Sequence, residues 1–377
     1  MKILFIIPKL GGGGAEVLLG AVSEELVIQG HQVKIICLHA HHETFVNFPN
    51  RKFIEEKISI SIINDSVSFS FFKSPKINNE LYKNIVNEFQ PDIIHSHLFE
   101  SELLAYSFIK SGIKYFSHAH DNMVQLKKLN LNTFKTKSSI TNFYESIWLK
   151  RQYRKANANF IAISQDSLSY LKTNLSKNHK KNIFSLQNAI NLKGFYNVET
   201  KSSSFSIVST GNLVPKKGHL LLVNCASELK NRGYNFKIEI LGYGLMKDQL
   251  ESKISELNLK NNVILAGNVS NVNDFLSRAD LYVHTATYEP FGLAIIEAMA
   301  SNLPVVCTDG KGNRDLIQEG INGFMVWERD PKLLADKIEL LINDEEKRNE
   351  MGTNARKFSE GFGIEQYVQH LLLLYSK

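Results

Sequence analysis

Two glutamates flank residues 290–293, a short turn that follows an apolar run at 281–284. The run predicts a strand, and we expect the next helix to carry Pro290 in its first turn, with Glu289 just before it and Glu297 about two turns inside. A helix N-terminus offers free N–H groups and the positive end of a dipole, and both bind phosphate. The two carboxylates can then accept hydrogen bonds from separate sets of hydroxyl groups. Taken alone, the pattern fits equally well an ordinary helix start with one exposed and one buried glutamate.

Lys216 and Lys217 lie in a second strand-to-helix turn. It connects a predicted strand at 205–209 to a helix that begins near Gly218. An ammonium group at such a turn can neutralise phosphate, including the charge that builds on a departing diphosphate. The more common interpretation of an isolated Lys-Lys pair is a solvent-exposed basic turn.

Four glycines at 11–14 follow the first predicted strand and open a helix. Glycine permits close approach of the backbone to a ligand. The run differs from the dinucleotide-binding fingerprint because Glu16 stands where the third glycine belongs. The second strand also ends at 37–39 without the acidic residue that would recognise a ribose. The pattern therefore argues against a nicotinamide cofactor.

Two histidines, His118 and His120, end another predicted strand and precede Asp121. Alternate positions of a strand face the same side, so both rings should point the same way, and we expect them to face a ligand. His97 ends the preceding strand in similar fashion. Metal binding stays open for this group, although the sequence shows no third ligand. A further cluster, interpreted as a surface loop, consists of His39, His41 and His42.

Short apolar runs alternate with amphipathic stretches along the chain, which predicts α/β structure with parallel sheets covered on both faces. A polar stretch at 191–204 interrupts the alternation and predicts a linker. We therefore expect two Rossmann-like domains, 1–195 and 196–361, that face each other across a ligand-binding cleft. A final helix within 362–377 has an apolar face, and the pattern leaves open whether it crosses back to the first domain.

The 377 residues are 43% hydrophobic and 22% charged, as in ordinary soluble globular proteins. Cys37, Cys225 and Cys307 lie far apart in apolar stretches, which indicates buried thiols rather than disulfides or a metal site. No run of about 20 apolar residues predicts a membrane span. The N-terminal apolar run is too short for a secretory signal, so we expect a cytoplasmic protein.

The net charge of +6 is unevenly distributed, because basic residues crowd into 114–155. The same segment carries apolar residues, namely Leu126, Leu129, Leu131, Phe134, Phe143, Ile147 and Trp148. It can lie on an anionic membrane surface or form a solvated helical face. Nucleic acid is disfavoured because no recognised nucleic-acid module accompanies the charge.

Together these motifs resemble the retaining glycosyltransferase family 4, which has the GT-B fold. The resemblance covers nearly the whole chain and keeps the family's order. Besides the turns described above, it includes residues 91–97, 162–164, 187–189, 309–315 and 319–323. The last two segments look like the family's closing loop, in the form found in capsule and exopolysaccharide enzymes.

The resemblance implies a metal-independent enzyme that transfers a sugar with retention of configuration and uses no cofactor. The donor would be a nucleotide-diphosphate sugar, namely a UDP-sugar, and the acceptor a growing or lipid-linked surface polysaccharide. A peripheral position at the inner face of the plasma membrane would suit that acceptor.

The resemblance also assigns roles to residues. Lys217 should bind the diphosphate, Glu289 the donor sugar and Glu297 the ribose. The implied catalytic residues are His120, Glu289, Lys217 and His118. The implied donor-binding residues are Gly13, Gly14, Asn212, Lys217, Glu289, Phe291, Gly292, Leu293 and Glu297. The implied acceptor-side residues are Gly12, Glu16 and His97.

Asn212 departs from the family, which usually has an arginine there that shares the diphosphate with the lysine. Either Lys216 compensates for the missing guanidinium or phosphate binding is weaker. Ala189 also replaces a common glycine, which should alter a turn rather than the chemistry. Two other functions remain open: a UDP-sugar epimerase of the same fold, and a non-catalytic nucleotide-sugar-binding protein.

Overall fold

The computed structural model describes residues 1–40, 51–69, 74–127, 136–195 and 204–377. His41, His42, part of the basic segment (128–135) and most of the predicted linker (196–203) lie outside the described residues.

The chain forms two compact units. The first comprises Met1–Asn188 together with Ile364–Lys377, and the second comprises Ala189–Gly363. The first boundary thus precedes the position expected from the polar stretch. The final helix is part of the first unit.

The strands, in chain order, are β1 (Lys2–Ile7), β2 (Gln32–Cys37), β3 (Ser59–Ile62), β4 (Ser66–Ser68), β5 (Lys76–Asn78), β6 (Ile93–His97), β7 (Lys114–Ala119), β8 (Asn159–Ala162), β9 (Ile183–Ser185), β10 (Phe205–Thr210), β11 (Phe236–Leu241), β12 (Val263–Gly267), β13 (Leu281–His284), β14 (Val305–Thr308) and β15 (Gly323–Val326).

The α-helices are α1 (Gly14–Ile28), α2 (Arg51–Lys57), α3 (Glu80–Phe89), α4 (Phe99–Ala105), α5 (Lys137–Ala156), α6 (Gln165–Asn174), α7 (Lys177–Lys180), α8 (His219–Asn231), α9 (Lys247–Glu256), α10 (Val272–Ser277), α11 (Leu293–Ala300), α12 (Pro331–Asn343), α13 (Glu345–Ser359) and α14 (Ile364–Ser376).

Each unit is built on one parallel sheet, as the alternating pattern predicts. The order is β3-β2-β1-β6-β7-β8-β9 in the first unit and β12-β11-β10-β13-β14-β15 in the second. Both orders reverse direction beside the first strand of the unit, which is the Rossmann arrangement. Ligands of such sheets collect beyond the carboxyl ends of the strands at that reversal. This directs attention to the ends of β1 and β6, and of β10 and β13.

The central strands β1, β13 and β14 are largely apolar, as expected for parallel strands that are covered on both faces. All of β1 from Ile3 onward is buried, as are the four residues of β13 and of β14. The predicted strand at 281–284 is confirmed with the same bounds. The three cysteines are buried free thiols, as predicted.

Helix α14 packs against α1 within the first unit. The Tyr375 ring lies edge-on to Phe116, with 4.9 Å between centroids, and its hydroxyl is 2.6 Å from His95 Nδ1. The Lys114 ammonium donates to the Tyr375 carbonyl at 2.9 Å. The last helix is therefore fixed to β6 and β7, the two strands that carry the histidines.

Helix α5 contains most of the described part of the basic segment. Its apolar residues turn mainly inward: Leu149 is buried and Trp148 packs edge-on against Phe69 at 5.6 Å. Of the described apolar residues proposed for a membrane-facing surface, Ile147 is exposed and Leu126 is buried. The described part of the segment thus presents mainly charge to its surroundings. No helix in the described part of the chain has the length and apolar character that a bilayer span requires.

Candidate functional site

The turn that carries Lys217 is tightly held in the second unit. Residues Pro215–Lys217 form a single 3₁₀ turn, and Gly218 then adopts a left-handed conformation with φ of 68° before α8 begins. A Cβ atom on Gly218 would lie 2.0 Å from the Thr285 carbonyl oxygen, so only glycine fits. The Thr285 hydroxyl donates to the Lys217 carbonyl at 3.2 Å. The end of β13 therefore fixes the lysine turn.

Lys217 and Glu289 meet directly, with 2.5 Å between Nζ and Oε2. Both side chains are largely buried, at 20% and 11% exposed. Burial alone raises the pKa of Glu289, but a hydrogen bond from His284 and the charge of Lys217 outweigh it and bring that pKa to about 2. The carboxylate is therefore ionised at neutral pH beside an ammonium group.

The backbone at Glu289 is held by the segment that resembles the family's closing loop. Its N–H donates to the Gly310 carbonyl at 2.8 Å. A Cβ on Gly312 would approach the Pro290 carbonyl oxygen to 1.9 Å, so the two chains are in close contact there. Asn313 braces the same loop by accepting from the Gly310 N–H at 2.9 Å. This loop thus fixes the backbone position of Glu289.

Helix α11 begins at Leu293 rather than at Pro290, so the prediction that Pro290 occupies its first turn is wrong. Gly292 is the N-cap, and its φ of 113° turns the chain into the helix only after the proline. The first N–H groups of the helix lack acceptors within the helix and remain available for an anion. The free amides of the helix start therefore lie three residues later than predicted.

Two predicted donor-binding residues on this segment differ in what their side chains can do. Phe291 is buried and packs against Phe362 at 5.9 Å, so its ring supports the turn and belongs to the core. Glu297 lies inside α11, and burial raises the pKa of its carboxyl group to about 7. Its carboxyl group is therefore poised to change charge near neutral pH.

Asn212 is exposed in the loop after β10, where the family usually has arginine.

A cation that sequence reasoning missed, Arg329, lies on the other side of the Lys217 turn. The Arg329 guanidinium donates to the carbonyls of Thr285 at 3.0 Å and Ala286 at 3.1 Å, and to the Thr308 hydroxyl at 3.2 Å. Among the residues that the structure describes, no carboxylate pairs with it. It adds an uncompensated positive charge beside the turn.

His284 is the second residue that sequence reasoning missed. Its Nε2 lies 2.9 Å from Glu289 Oε2, and the ring is almost fully buried. The signal that could have found it is its position five residues before Glu289, at the last residue of a predicted strand. A single histidine at the end of an apolar strand belongs to no motif that would single it out.

In the first unit, the glycine run begins α1. Gly13 is its N-cap, and its N–H donates to Glu16 Oε2 at 3.2 Å. Glu16, an implied acceptor-side residue, thus has its carboxylate turned back onto the helix start. Gly12 precedes this cap and Gly14 is the first helical residue, so all of these lie at the carboxyl end of β1.

Four histidines lie together at the ends of β6 and β7. His118 and His120 share one side, as predicted, with ring centroids 4.0 Å apart. His95 and His97 join them from the neighbouring strand, where the register places His97 opposite His118. His97 Nδ1 is 2.8 Å from His120 Nε2. Burial lowers the pKa of every one of these rings, so the cluster is neutral at physiological pH.

The third metal ligand missing from the sequence is thus supplied by the neighbouring strand. Ring nitrogens of His95, His97 and His118 lie within 4.8 Å of one another. The rings are nearly parallel, however, with interplanar angles of 24° between His95 and His97 and 17° between His95 and His118. A metal ion must lie close to the plane of each imidazole that binds it. These stacked rings would have to turn before their lone pairs could meet at one ion.

Outside this cluster, His39 is exposed and lies 3.0 Å from Glu100, a surface position as predicted. Asp121 is used locally, since its carboxylate accepts from the Asn122 N–H at 2.6 Å.

Comparison with known families covers almost the whole chain. Residues 12–193 match the family described as Glycosyltransferase Family 4, and residues 197–358 match the family described as Glycosyl transferases group 1.

Among curated proteins, the chain is similar to the capsular polysaccharide biosynthesis glycosyltransferase CapM of Staphylococcus aureus, at 33% identity over 52% of this chain and 55% of that protein. It is also 28% identical to the Campylobacter jejuni N-acetylgalactosamine-N,N'-diacetylbacillosaminyl-diphospho-undecaprenol 4-alpha-N-acetylgalactosaminyltransferase, over 60% of this chain and 62% of that one. The chain thus spans about half the length of the curated relatives it matches.

Among solved structures, that of HepE from Anabaena in complex with UDP and glucose matches with a TM-score of 0.78 and 20% identity, covering 100% of both chains. At that identity the likeness shows the fold alone. Two matched family regions in the expected order, two Rossmann-like sheets and a shared fold agree: the chain belongs to the glycosyltransferases of the GT-B fold, with a Family 4 region followed by a group 1 region.

Proposed function

We propose that this protein is a glycosyltransferase that moves a sugar from a UDP-sugar to an acceptor hydroxyl. The observation that carries the proposal is the contact between Lys217 and Glu289 beside the N-terminus of α11. It joins an ammonium group, an ionised carboxylate and free helix amides, which together suit a sugar joined to a diphosphate.

The donor would lie along this row of groups. The diphosphate takes the Lys217 ammonium and the N–H groups of Gly292 and Leu293, while the sugar hydroxyls donate to Glu289. The ribose hydroxyls would reach Glu297, inside the helix. Because Lys217 is paired with Glu289 before the donor binds, the diphosphate must draw the ammonium partly away from the carboxylate.

The chemistry needs charge stabilisation on the departing diphosphate. As the bond between sugar C1 and the diphosphate oxygen breaks, negative charge grows on that oxygen, and fixed cations lower the barrier. Lys217 and the α11 amides supply that stabilisation, and Arg329 adds a positive charge nearby. These groups allow the reaction to proceed without a divalent metal or cofactor.

We propose that configuration is retained through a same-face route. The acceptor oxygen attacks C1 from the side that the diphosphate leaves, and a diphosphate oxygen takes the acceptor proton. No covalent sugar-enzyme bond forms, so Glu289 needs only to hold hydroxyl groups. Within the first unit, the family resemblance assigns His120 to catalysis, with His118 as the second candidate. It assigns Gly13 and Gly14 to donor binding, and Gly12, Glu16 and His97 to the acceptor side.

The acceptor is proposed from the relatives. The name of CapM refers to capsular polysaccharide biosynthesis. The name of the Campylobacter jejuni relative refers to a sugar linked to diphospho-undecaprenol. A growing or lipid-linked surface polysaccharide fits both, and it would bring the enzyme to the cytoplasmic face of a membrane.

The test begins with purified full-length protein and UDP, UDP-glucose, UDP-N-acetylglucosamine and UDP-N-acetylgalactosamine. A bound donor raises the thermal midpoint. The stabilising donor is then incubated with undecaprenyl-diphosphate-linked sugars, with and without EDTA. The expected results are UDP release, an elongated lipid whose new linkage is alpha, and no loss of rate in EDTA.

The same experiment separates the alternatives. A changed sugar on the nucleotide without any acceptor would identify an epimerase. Stoichiometric donor binding with no turnover on any acceptor would identify a nucleotide-sugar sensor. A beta linkage in the product would overturn retention, and a rate that collapses in EDTA would overturn metal independence.

A further inference from the structure

The Glu289 carboxylate receives both of its described hydrogen bonds on one oxygen. Lys217 Nζ and His284 Nε2 each donate to Oε2, at 2.5 Å and 2.9 Å. Within the described residues, no donor contacts Oε1. Because a carboxylate accepts on both oxygens, Oε1 is left for a ligand. The side chain is thus held by one oxygen and offers the other.

His284 is oriented by a chain of hydroxyl groups. The Tyr282 hydroxyl is 3.3 Å from His284 Nδ1, and the Thr210 hydroxyl is 3.0 Å from the Tyr282 hydroxyl. If Nδ1 accepts from Tyr282, the ring proton must sit on Nε2, where it can be donated to Glu289. The hydrogen bonds then run in one direction, from Thr210 through Tyr282 and His284 to the carboxylate.

The strands bring this chain together. Tyr282 and His284 occupy alternate positions of β13 and so face the same side. Thr210 ends the adjacent strand β10, whose Val208 pairs with Tyr282. Tyr282 is 0% exposed and His284 2%. Hydrogen bonds are stronger in such surroundings, and leaving one unmade is costly.

The ring is neutral in this environment. Burial lowers the pKa of His284 more than the neighbouring Glu289 raises it, and Lys217 lowers it further. A neutral imidazole has a single N–H, so its tautomer decides whether Glu289 is held or repelled.

We propose that His284 is a positioning residue for sugar transfer: its Nε2–H fixes Glu289 Oε2 so that Oε1 faces the donor sugar. The role rests on the function proposed above. His284 acts through Glu289, and Tyr282 acts through His284 by setting its tautomer.

The test compares three variants by their kcat and KM for UDP release from the donor sugar that wild type uses best. His284→Leu removes both hydrogen bonds and should lower kcat roughly tenfold to hundredfold, the effect of one charge-assisted hydrogen bond. His284→Gln keeps a side-chain N–H and should restore most of the rate. Tyr282→Phe removes the tautomer constraint and should fall between them. Affinity for UDP, which lacks the sugar, should stay within about twofold in all three.

A double-mutant cycle separates positioning from a general structural role. In a Glu289→Gln background, His284→Leu should cause little further loss of rate, because its partner is already altered. Multiplied losses would overturn the proposal. His179→Asn is the matched control, since His179 is also a buried histidine, bonded to Ser176 Oγ at 2.8 Å in the other unit. It should leave kcat unchanged.

Thermal unfolding checks that each variant folds. If His284→Leu does not, His284→Gln and Tyr282→Phe carry the test. ¹⁵N NMR of labelled histidine reads the tautomer without any substrate: an Nε2–H form is expected in wild type, and an Nδ1–H form would overturn the proposal. A His284→Leu variant with the wild-type kcat would overturn the positioning role of His284 and leave the proposed function standing. Absence of wild-type turnover would overturn the proposed function and this role with it.

Discussion

Lys217 and Glu289 lie 72 positions apart in the chain, yet their side chains form an ion pair in the second unit. The pair explains how the site tolerates two largely buried charges, since each compensates the other. It also means that neither residue can be removed without leaving the other charge unpaired.

Substitution of Lys217 by alanine should reduce kcat for transfer by about 100-fold or more, because the departing diphosphate loses a charge-stabilising donor. Glu289→Ala should reduce it comparably. Lys237→Ala, at an exposed lysine on β11, is the charge-matched control and should keep full activity. Initial rates of UDP release measure the effect, and full activity in either site variant would remove this ion pair from the mechanism.

Glu297→Gln should change how stability depends on pH. The wild-type carboxyl has its pKa raised from 4.5 to about 7, so the folded state keeps a proton that the unfolded chain has lost. Stability should therefore fall as pH rises from about 4.5 to about 7 and then level off. The loss is at most about 3 kcal/mol. Since glutamine does not titrate, the variant should lose less over that range.

Thermal unfolding of both proteins between pH 5 and pH 8 measures this difference. Parallel curves for wild type and Glu297→Gln would show that the carboxyl is not held protonated in the folded protein.

Gly218→Ala should destabilise the protein by roughly 2 kcal/mol or more, because its Cβ would collide with the Thr285 carbonyl. Gly233→Ala is a matched control in the same unit. Gly233 has a similar left-handed φ of 85° and open space around it, so its substitution carries the backbone cost without the collision. Equal shifts of the unfolding midpoint in the two variants would contradict the close packing of the lysine turn.

The exposed cations of α5 should adsorb the protein to anionic vesicles by charge alone, since the described apolar side chains of this segment are mostly turned inward. Reversal of Arg151, Arg154 and Lys155 to glutamate should weaken binding to phosphatidylglycerol vesicles roughly hundredfold, at about 1 kcal/mol per charge. About 1 M salt should abolish wild-type binding. Reversal of Lys237, Lys260 and Lys332 in the second unit changes the net charge equally and should have little effect. Binding that survives high salt would point to an apolar anchor instead.

Sequence reasoning located most elements because the central parallel strands are largely apolar and glycines mark several of their turns. The lysine turn and Glu289 followed from motifs, and their importance from the family resemblance. The start of α11 was misplaced because proline favours a first turn, whereas Gly292, with a left-handed backbone, sets the true beginning. The preference of Pro290 for the first turn of a helix did not decide the helix start, because the left-handed backbone of Gly292 begins the helix after it.

Side-chain clusters that depend on strand pairing were only half predicted. Alternation along one strand placed His118 with His120, but the register that puts His97 opposite His118 is a relation between distant segments. The contact of His284 with Glu289 is similar, because it needs the path of the loop between β13 and α11. Arg329 belongs to no motif, and only its folded position brings it to the lysine turn.

The position of α14 in the first unit has a consequence for biosynthesis. The second unit is one continuous segment, 189–363, inserted between two parts of the first. A ribosome therefore completes the second unit while the first still lacks the helix that carries Tyr375. Synthesis of the first unit thus starts first and ends last. A nascent chain halted before residue 364 would expose the buried face of His95 that Tyr375 covers.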